Sequence, residues 1–199
     1  MSRERPVLFS GAMVRAILAG TKTQTRRVIA PVQPREDGLW PAGRDPVPDC
    51  PFGRAGDTLW VRETWGPLAG GVTYRATANT ESPDGNRWRP SIHMPRWASR
   101  LSLEIVSVRV ERLQAITGED AAAEGITIKL GAAPGTFAIP VSDPGFTQAL
   151  PPGPLTTLTE SAVARAWFAS LWDSINGARS PWDANPWVWV VSFRRVEGA

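Results

Sequence analysis

One cysteine, Cys50, in a chain of 199 residues excludes an intramolecular disulfide and any multi-cysteine zinc site. One histidine, His93, is as restrictive, because a single His with a single Cys makes no convincing metal centre, and no metal or other cofactor is expected. No apolar run approaches the ~20 residues of a membrane-spanning helix. The opening segment Met1–Pro6 leads into a short apolar stretch and not into a signal-peptide core, so a cytoplasmic protein with no membrane partner is expected. Lysine is scarce too: Lys22 and Lys129 stand against 20 arginines. The net charge is only +3, a modest basic bias. What is plentiful is tryptophan, at ten residues, together with 18 glycines and 19 prolines. That Gly and Pro content describes a loop-rich chain and argues against a long bundle or coiled coil. The length suits one domain over 1–199, able to bury a core without staples.

Hydrophobic patterning sets out the elements. Pro6-Val7-Leu8-Phe9 reads as a short strand, and Ser10 caps a helix from Gly11 to Ala19 whose apolar stripe is Met13, Val14, Ile17 and Leu18. Residues 21–28 start as a turn and become extended. Thr58–Glu63 is a strand after the Gly56-Asp57 turn, and Val72–Ala76 is a weaker one. In Leu101–Leu113 the alternation changes phase: Leu101, Leu103 and Ile105 are followed by Val106, Val108 and Val110, which predicts a bulge near Ile105-Val106. Thr117-Gly118-Glu119-Asp120 opens a short helix with a capping box, ending at Glu124-Gly125. A longer helix starts near Thr157–Glu160, buries Val163, Trp167, Leu171 and Ile175, and stops at Gly177. Trp187–Phe193 is the last strand. Two irregular insertions, at about 30–56 and 127–155, interrupt the order. Strands dominate, so an α+β chain built on a small mixed β-barrel with a few flanking helices is expected.

Two stretches carry a resemblance. Leu18-Ala19-Gly20-Thr21-Lys22-Thr23-Gln24-Thr25-Arg26 follows a strand and a helix, and Gly56-Asp57-Thr58-Leu59-Trp60-Val61-Arg62-Glu63 follows later. With the Glu124-Gly125 helix end and the terminal strand through Phe193, they make the chain similar to the ASCH domain, a branch of the PUA-like barrels, in its longer bacterial and phage form. The resemblance implies a barrel with a cleft that takes RNA, DNA or a modified nucleoside. Among the small bacterial members of that family are amidohydrolases that remove the acetyl group of N(4)-acetylcytidine through a Lys, a Thr three residues later and a Glu on a later helix, while others look like ribonucleases and many have no known activity. Lys22, Thr25 and Glu124 occupy those positions here.

The residue types suit that chemistry. Thr25 would be the nucleophile, Lys22 the base once burial or a neighbouring cation such as Arg26 lowers its ammonium, and Glu124 the proton donor to the leaving amine. In an arginine-biased chain a lysine at this place is informative, because arginine cannot deprotonate in such a role. Full extension over 22–25 would send Lys22 and Thr25 to opposite faces, so the reading requires a turn there, which Gly20 favours. Arg26, Arg62 and Glu63 are candidates for holding a substrate, and Trp60 and Trp65 for stacking a base. The bland counterpart is an Arg–Glu pair between strands and tryptophans buried in the barrel. Two other functions fit the same residues: a non-catalytic nucleic-acid-binding module, and a metal-independent ribonuclease in which Lys22 stabilises the pentavalent phosphate and Glu124 activates the ribose hydroxyl.

Overall fold

The computed structural model describes residues 2–29, 49–68, 70–78, 87–126, 129–130, 137–138 and 160–196. Its strands are β1 (Glu4–Leu8), β2 (Gln24–Val28), β3 (Thr58–Arg62), β4 (Trp65–Leu68), β5 (Gly71–Tyr74), β6 (Ser102–Arg112), β7 (Lys129–Leu130), β8 (Phe137–Ala138) and β9 (Trp187–Val196). Its helices are α1 (Gly11–Leu18), α2 (Gly118–Ala123) and α3 (Glu160–Asn176). Five strands form one sheet in the order β1-β3-β6-β9-β2. β1 runs parallel to β3, and the remaining neighbours are antiparallel. The fold is thus α+β, as expected. Pro6 is tolerated in β1 because that strand lies at the sheet edge, where a missing N–H costs no ladder bond. Pro67 is tolerated in β4 for the same reason, because β4 pairs only with β5 in a separate two-stranded hairpin.

Each face of the sheet carries its own core. On one face Val7, Leu59, Val61, Leu103, Ile105, Trp189 and Val191 pack with Val14 and Ile17 of α1. On the other, Val188 and Val190 pack with Ala121 of α2 and with Ala164, Phe168 and Trp172 of α3. Ser10 caps α1 by accepting the Met13 N–H, and Thr117 and Asp120 form the capping box of α2. The phase change in β6 is a real bulge: the register with β9 slips between Ile105 and Ser107, and Val106 is left facing solvent. That slip lets Leu103 and Ile105, then Val108 and Val110, face the same core.

Two expectations change. Ile175 is 52% exposed and Leu171 only half-buried, while Val163, Ala164, Trp167, Phe168 and Trp172 make the buried stripe of α3. Four-residue steps overshoot a 3.6-residue turn, so successive positions drift around the helix and the stripe must step back by three. Second, the closed barrel is not formed among the described residues. β1 and β2 stay edges, and the gap between them is spanned by a side chain, Arg27 donating to the Leu8 carbonyl at 2.8 Å. Most of both expected insertions lies outside the described residues; within 127–155 only the short β7–β8 pair is described.

Asp57 ties the start of β1 to the turn before β3. Its carboxylate accepts the backbone N–H groups of Arg3 at 2.9 Å and Arg54 at 3.1 Å, and these bonds hold it below the ordinary aspartate value. A carboxyl lowered in the folded state stabilises above its unfolded pKa and stops doing so as pH falls through the folded one. Asp57→Asn is therefore expected to flatten the acid limb of an unfolding curve recorded against pH. An acid limb identical to the parent's would refute this.

Candidate functional site

The link from α1 to β2 determines where Lys22 points. Gly20 ends the helix at φ +75°, a conformation an L side chain resists. The Thr21 and Lys22 N–H groups both donate to the Ala16 carbonyl, which holds Lys22 in a turn outside β2. Lys22 then forms an isolated bridge with Glu124, and Thr23 N–H donates to the Ala123 carbonyl. The end of α2 is thereby fastened to the entrance of β2. Gly125, at φ +96°, closes this junction: a Cβ there would come within 3.1 Å of Ala16 Cβ and 3.2 Å of Lys22 Cβ.

Lys22 and Glu124, 102 positions apart, meet as a buried ion pair. Lys22 Nζ lies 2.7 Å from Glu124 Oε2, with the residues 2% and 7% exposed. The same Nζ donates to the carbonyls of Gln24 at 2.8 Å and Glu124 at 3.0 Å, so all three ammonium donors are used. Burial pulls the Lys22 ammonium below its ordinary value; Glu124 opposes this, and Arg27 and Arg26 add to it.

Arg26 is the hub of the surrounding charge. Its guanidinium reaches Glu124 Oε1 at 3.3 Å, Gln24 Oε1 at 2.6 Å, Glu111 Oε2 at 3.3 Å and Asp120 Oδ2 at 3.0 Å. Arg109 reaches Asp120 Oδ1 at 2.8 Å and also pairs with Glu111. Burial pushes the Asp120 carboxyl up, but Arg26, Gln24, Arg109 and the Thr117 N–H together hold it below its ordinary value. The sheet register explains the convergence. Arg26 on β2 and Arg109 on β6 both lie opposite Val190 of β9, and Glu111 lies opposite Val188, so all three share the α2–α3 face. Phe168 of α3 underlies Arg26, its ring centroid 5.8 Å from the guanidinium carbon.

Thr25 takes the other face. It lies opposite Val191, is 3% exposed, and belongs to the side whose core contains Phe9. The Lys22 amine also reaches that side, 5.7 Å from the Phe9 ring centroid, with Arg27 at 5.5 Å. The turn at Gly20 is thus what lets Lys22 sit at the sheet edge between Glu124 and the Thr25 face.

The other expected site residues are engaged elsewhere. Arg62 donates to the carbonyls of Met94 and Ile92, holding the 87–100 segment, and its guanidinium carbon lies 5.4 Å from the centroid of half-buried Trp60. Glu63 is buried in a two-pronged pair with Arg100 at 2.8 and 2.9 Å. Trp65 is buried with Met94 and Ala98. β3 is separated from β2 by two intervening strands, about 14 Å across a sheet. Sequence reading missed Gln24, Arg109, Glu111 and Asp120. The available signal was the alternation of Arg109 and Glu111 on one strand face, together with the third position of a capping box.

Among the described residues no group of three His, Cys, Asp or Glu side chains is arranged to hold a metal ion. No helix among them is long and apolar enough to cross a membrane. No family model, curated protein or solved structure matches the chain.

Proposed function

We propose that the sheet is an ASCH-type, PUA-like fold left open between β1 and β2, and that it binds a modified pyrimidine nucleoside and hydrolyses its N(4)-acyl amide. The observation that supports this reading is the buried Lys22–Glu124 contact of 2.7 Å, beside the Thr25 strand. Inside a low-dielectric site a proton passed from Nζ to Oε2 leaves a neutral amine and a carboxylic acid, which are the base and the acid the reaction needs. Thr25 Oγ bonds to the acyl carbon and its proton goes to Lys22. The C–N bond breaks as Glu124 protonates the leaving amine, giving cytidine and an acyl-threonine ester. Water then gives a proton to Glu124 and its oxygen to the acyl carbon, and Thr25 recovers a proton from Lys22, releasing the carboxylic acid. Arg26, held against Glu124 Oε1, positions that carboxyl.

The test is chromatographic detection of cytidine from N(4)-acetylcytidine, with Thr25→Val and Thr25→Ser as the variants. Thr25→Val keeps the buried shape and removes the hydroxyl, so its rate is expected to fall about 1,000-fold or more with an unchanged far-UV spectrum, while Thr25→Ser keeps measurable activity. No cytidine from the parent protein, or equal rates for Thr25→Val, would end the enzymatic reading. Cleavage of RNA with acetylcytidine left intact would instead favour the ribonuclease.

A second reading, binding without chemistry, is favoured by one surface. Trp97 is 73% exposed and stands edge-on to Trp65 at 5.8 Å, with the Arg89 guanidinium carbon 4.9 Å from the Trp65 ring centroid. An open ring next to a cation-covered buried one suits base stacking. Salt-sensitive RNA binding that Trp97→Ala abolishes, without any hydrolysis, is the outcome that selects this reading.

A further inference from the structure

At the opposite end of β1 from the Lys22 cluster lies a cavity of about 260 Å³, lined by Arg3, Arg5, Cys50, Arg54, Val108 and Trp189. Arg5 lies four positions, about 13 Å of extended chain, from Phe9, the ring beside the Lys22 amine, so Arg5 stands away from the lysine–glutamate pair. Arg5 is the unusual member. It lies opposite Leu59, fully buried in the core, and so occupies a row that is otherwise apolar: Val7, Leu59 and Val61. One of its terminal nitrogens donates to the Pro51 carbonyl at 3.1 Å, but its Nε is buried with no hydrogen-bond partner. A buried donor on a charged group is costly to leave unmet. Arg3 and Arg54 flank it. Two carboxylates also line the cavity, Asp49 and Asp57. Asp57 accepts hydrogen bonds from the backbone N–H groups of Arg3 and Arg54, not from their side chains. Three arginines therefore line a space with two carboxylates, one of them already bonded to backbone.

The geometry points to a binding site for a small phosphomonoester, its phosphate held by Arg3, Arg5 and Arg54 and its organic part against Trp189 and Val108. Guanidinium forks match phosphate oxygens, and a phosphate offers three acceptors where a carboxylate offers two. The volume is below the ~300–1,000 Å³ of sites for drug-sized ligands, which suits a phosphate with a compact organic group and excludes a large ligand held entirely inside. The Trp189 ring and Val108 supply the apolar wall such a group needs. This site does not depend on the hydrolytic reading.

Calorimetric titration with phenyl phosphate, inorganic phosphate and phenol, each against the full chain, tests it without engaging a nucleoside site. Saturable binding is expected for both phosphate compounds and none for phenol. Tighter binding of the ester supports the proposal, and equal affinity overturns its organic half and assigns the site to free phosphate. Arg5→Gln and Arg54→Gln are each expected to weaken binding about tenfold. Arg54 is exposed, so its substitution leaves the core untouched and keeps the test valid if Arg5→Gln folds poorly. Absence of saturable binding by both phosphate compounds, phenol binding as well as its phosphate ester, or undiminished affinity in Arg54→Gln would each overturn the proposal.

Discussion

Glu124→Ala is expected to lower the unfolding free energy by about 3–5 kcal/mol, because it leaves the Lys22 ammonium buried without its counter-ion. In a chain of this size that corresponds to roughly 2–4 °C of melting temperature per kcal/mol. The two carbonyl bonds of Lys22 survive the substitution, but carbonyls do not neutralise a charge. The signature is in the pair of variants and not in one number. Adding Lys22→Met to Glu124→Ala removes the stranded charge, so the double variant is expected to melt above Glu124→Ala alone. Thermal unfolding of the three proteins measures this. If Glu124→Ala melts within about 1 °C of the parent, the pair is solvated and contributes nothing, and the site described around it fails with it.

Phe168→Ala is expected to cost a similar amount, about 3–5 kcal/mol, for a different reason. The ring is buried between Trp172 at 6.1 Å and Trp182 at 6.2 Å, and it forms the floor beneath Arg26. Truncation opens a cavity in the α3 core and removes the aromatic face from a guanidinium already holding Glu111, Asp120 and Glu124. Phe168→Leu separates the two effects. It restores most of the volume but no π face, so a residual loss of about 1–2 kcal/mol is expected. Denaturant melts of both variants give the comparison. Equal losses for Ala and Leu would show that volume is not what the ring supplies there.

Local signals in this chain were legible because they are complete within a few residues. Ser10 and Thr117 announce the starts of α1 and α2, and both cap as read. The phase change after Ile105 announces a bulge, since a strand can expose Val106 while keeping Val108 inside only by gaining a residue. The α+β class followed from such pieces. The Lys22 turn was legible as well, from a glycine two residues before it. The face of α3 was misread at its last turn because a fixed four-residue step was followed past the point where helical drift makes it fail.

What lay beyond the linear pattern was every relation between distant segments. That Arg26 and Arg109 flank the same valine depends on β9 lying between β2 and β6, and no local period encodes strand order. Arg62, Glu63, Trp60 and Trp65 had the composition of a binding site, but composition is blind to partners, and Met94, Ile92 and Arg100 claim two of them. The edges β1 and β2 share no ladder; α1 joins them along the chain and Arg27 bridges them through its side chain. Residue type and short-range spacing therefore told which groups were available for chemistry. Long-range strand pairing settled which of them share a buried, low-dielectric space, because only there does a charge 102 positions away become a neighbour.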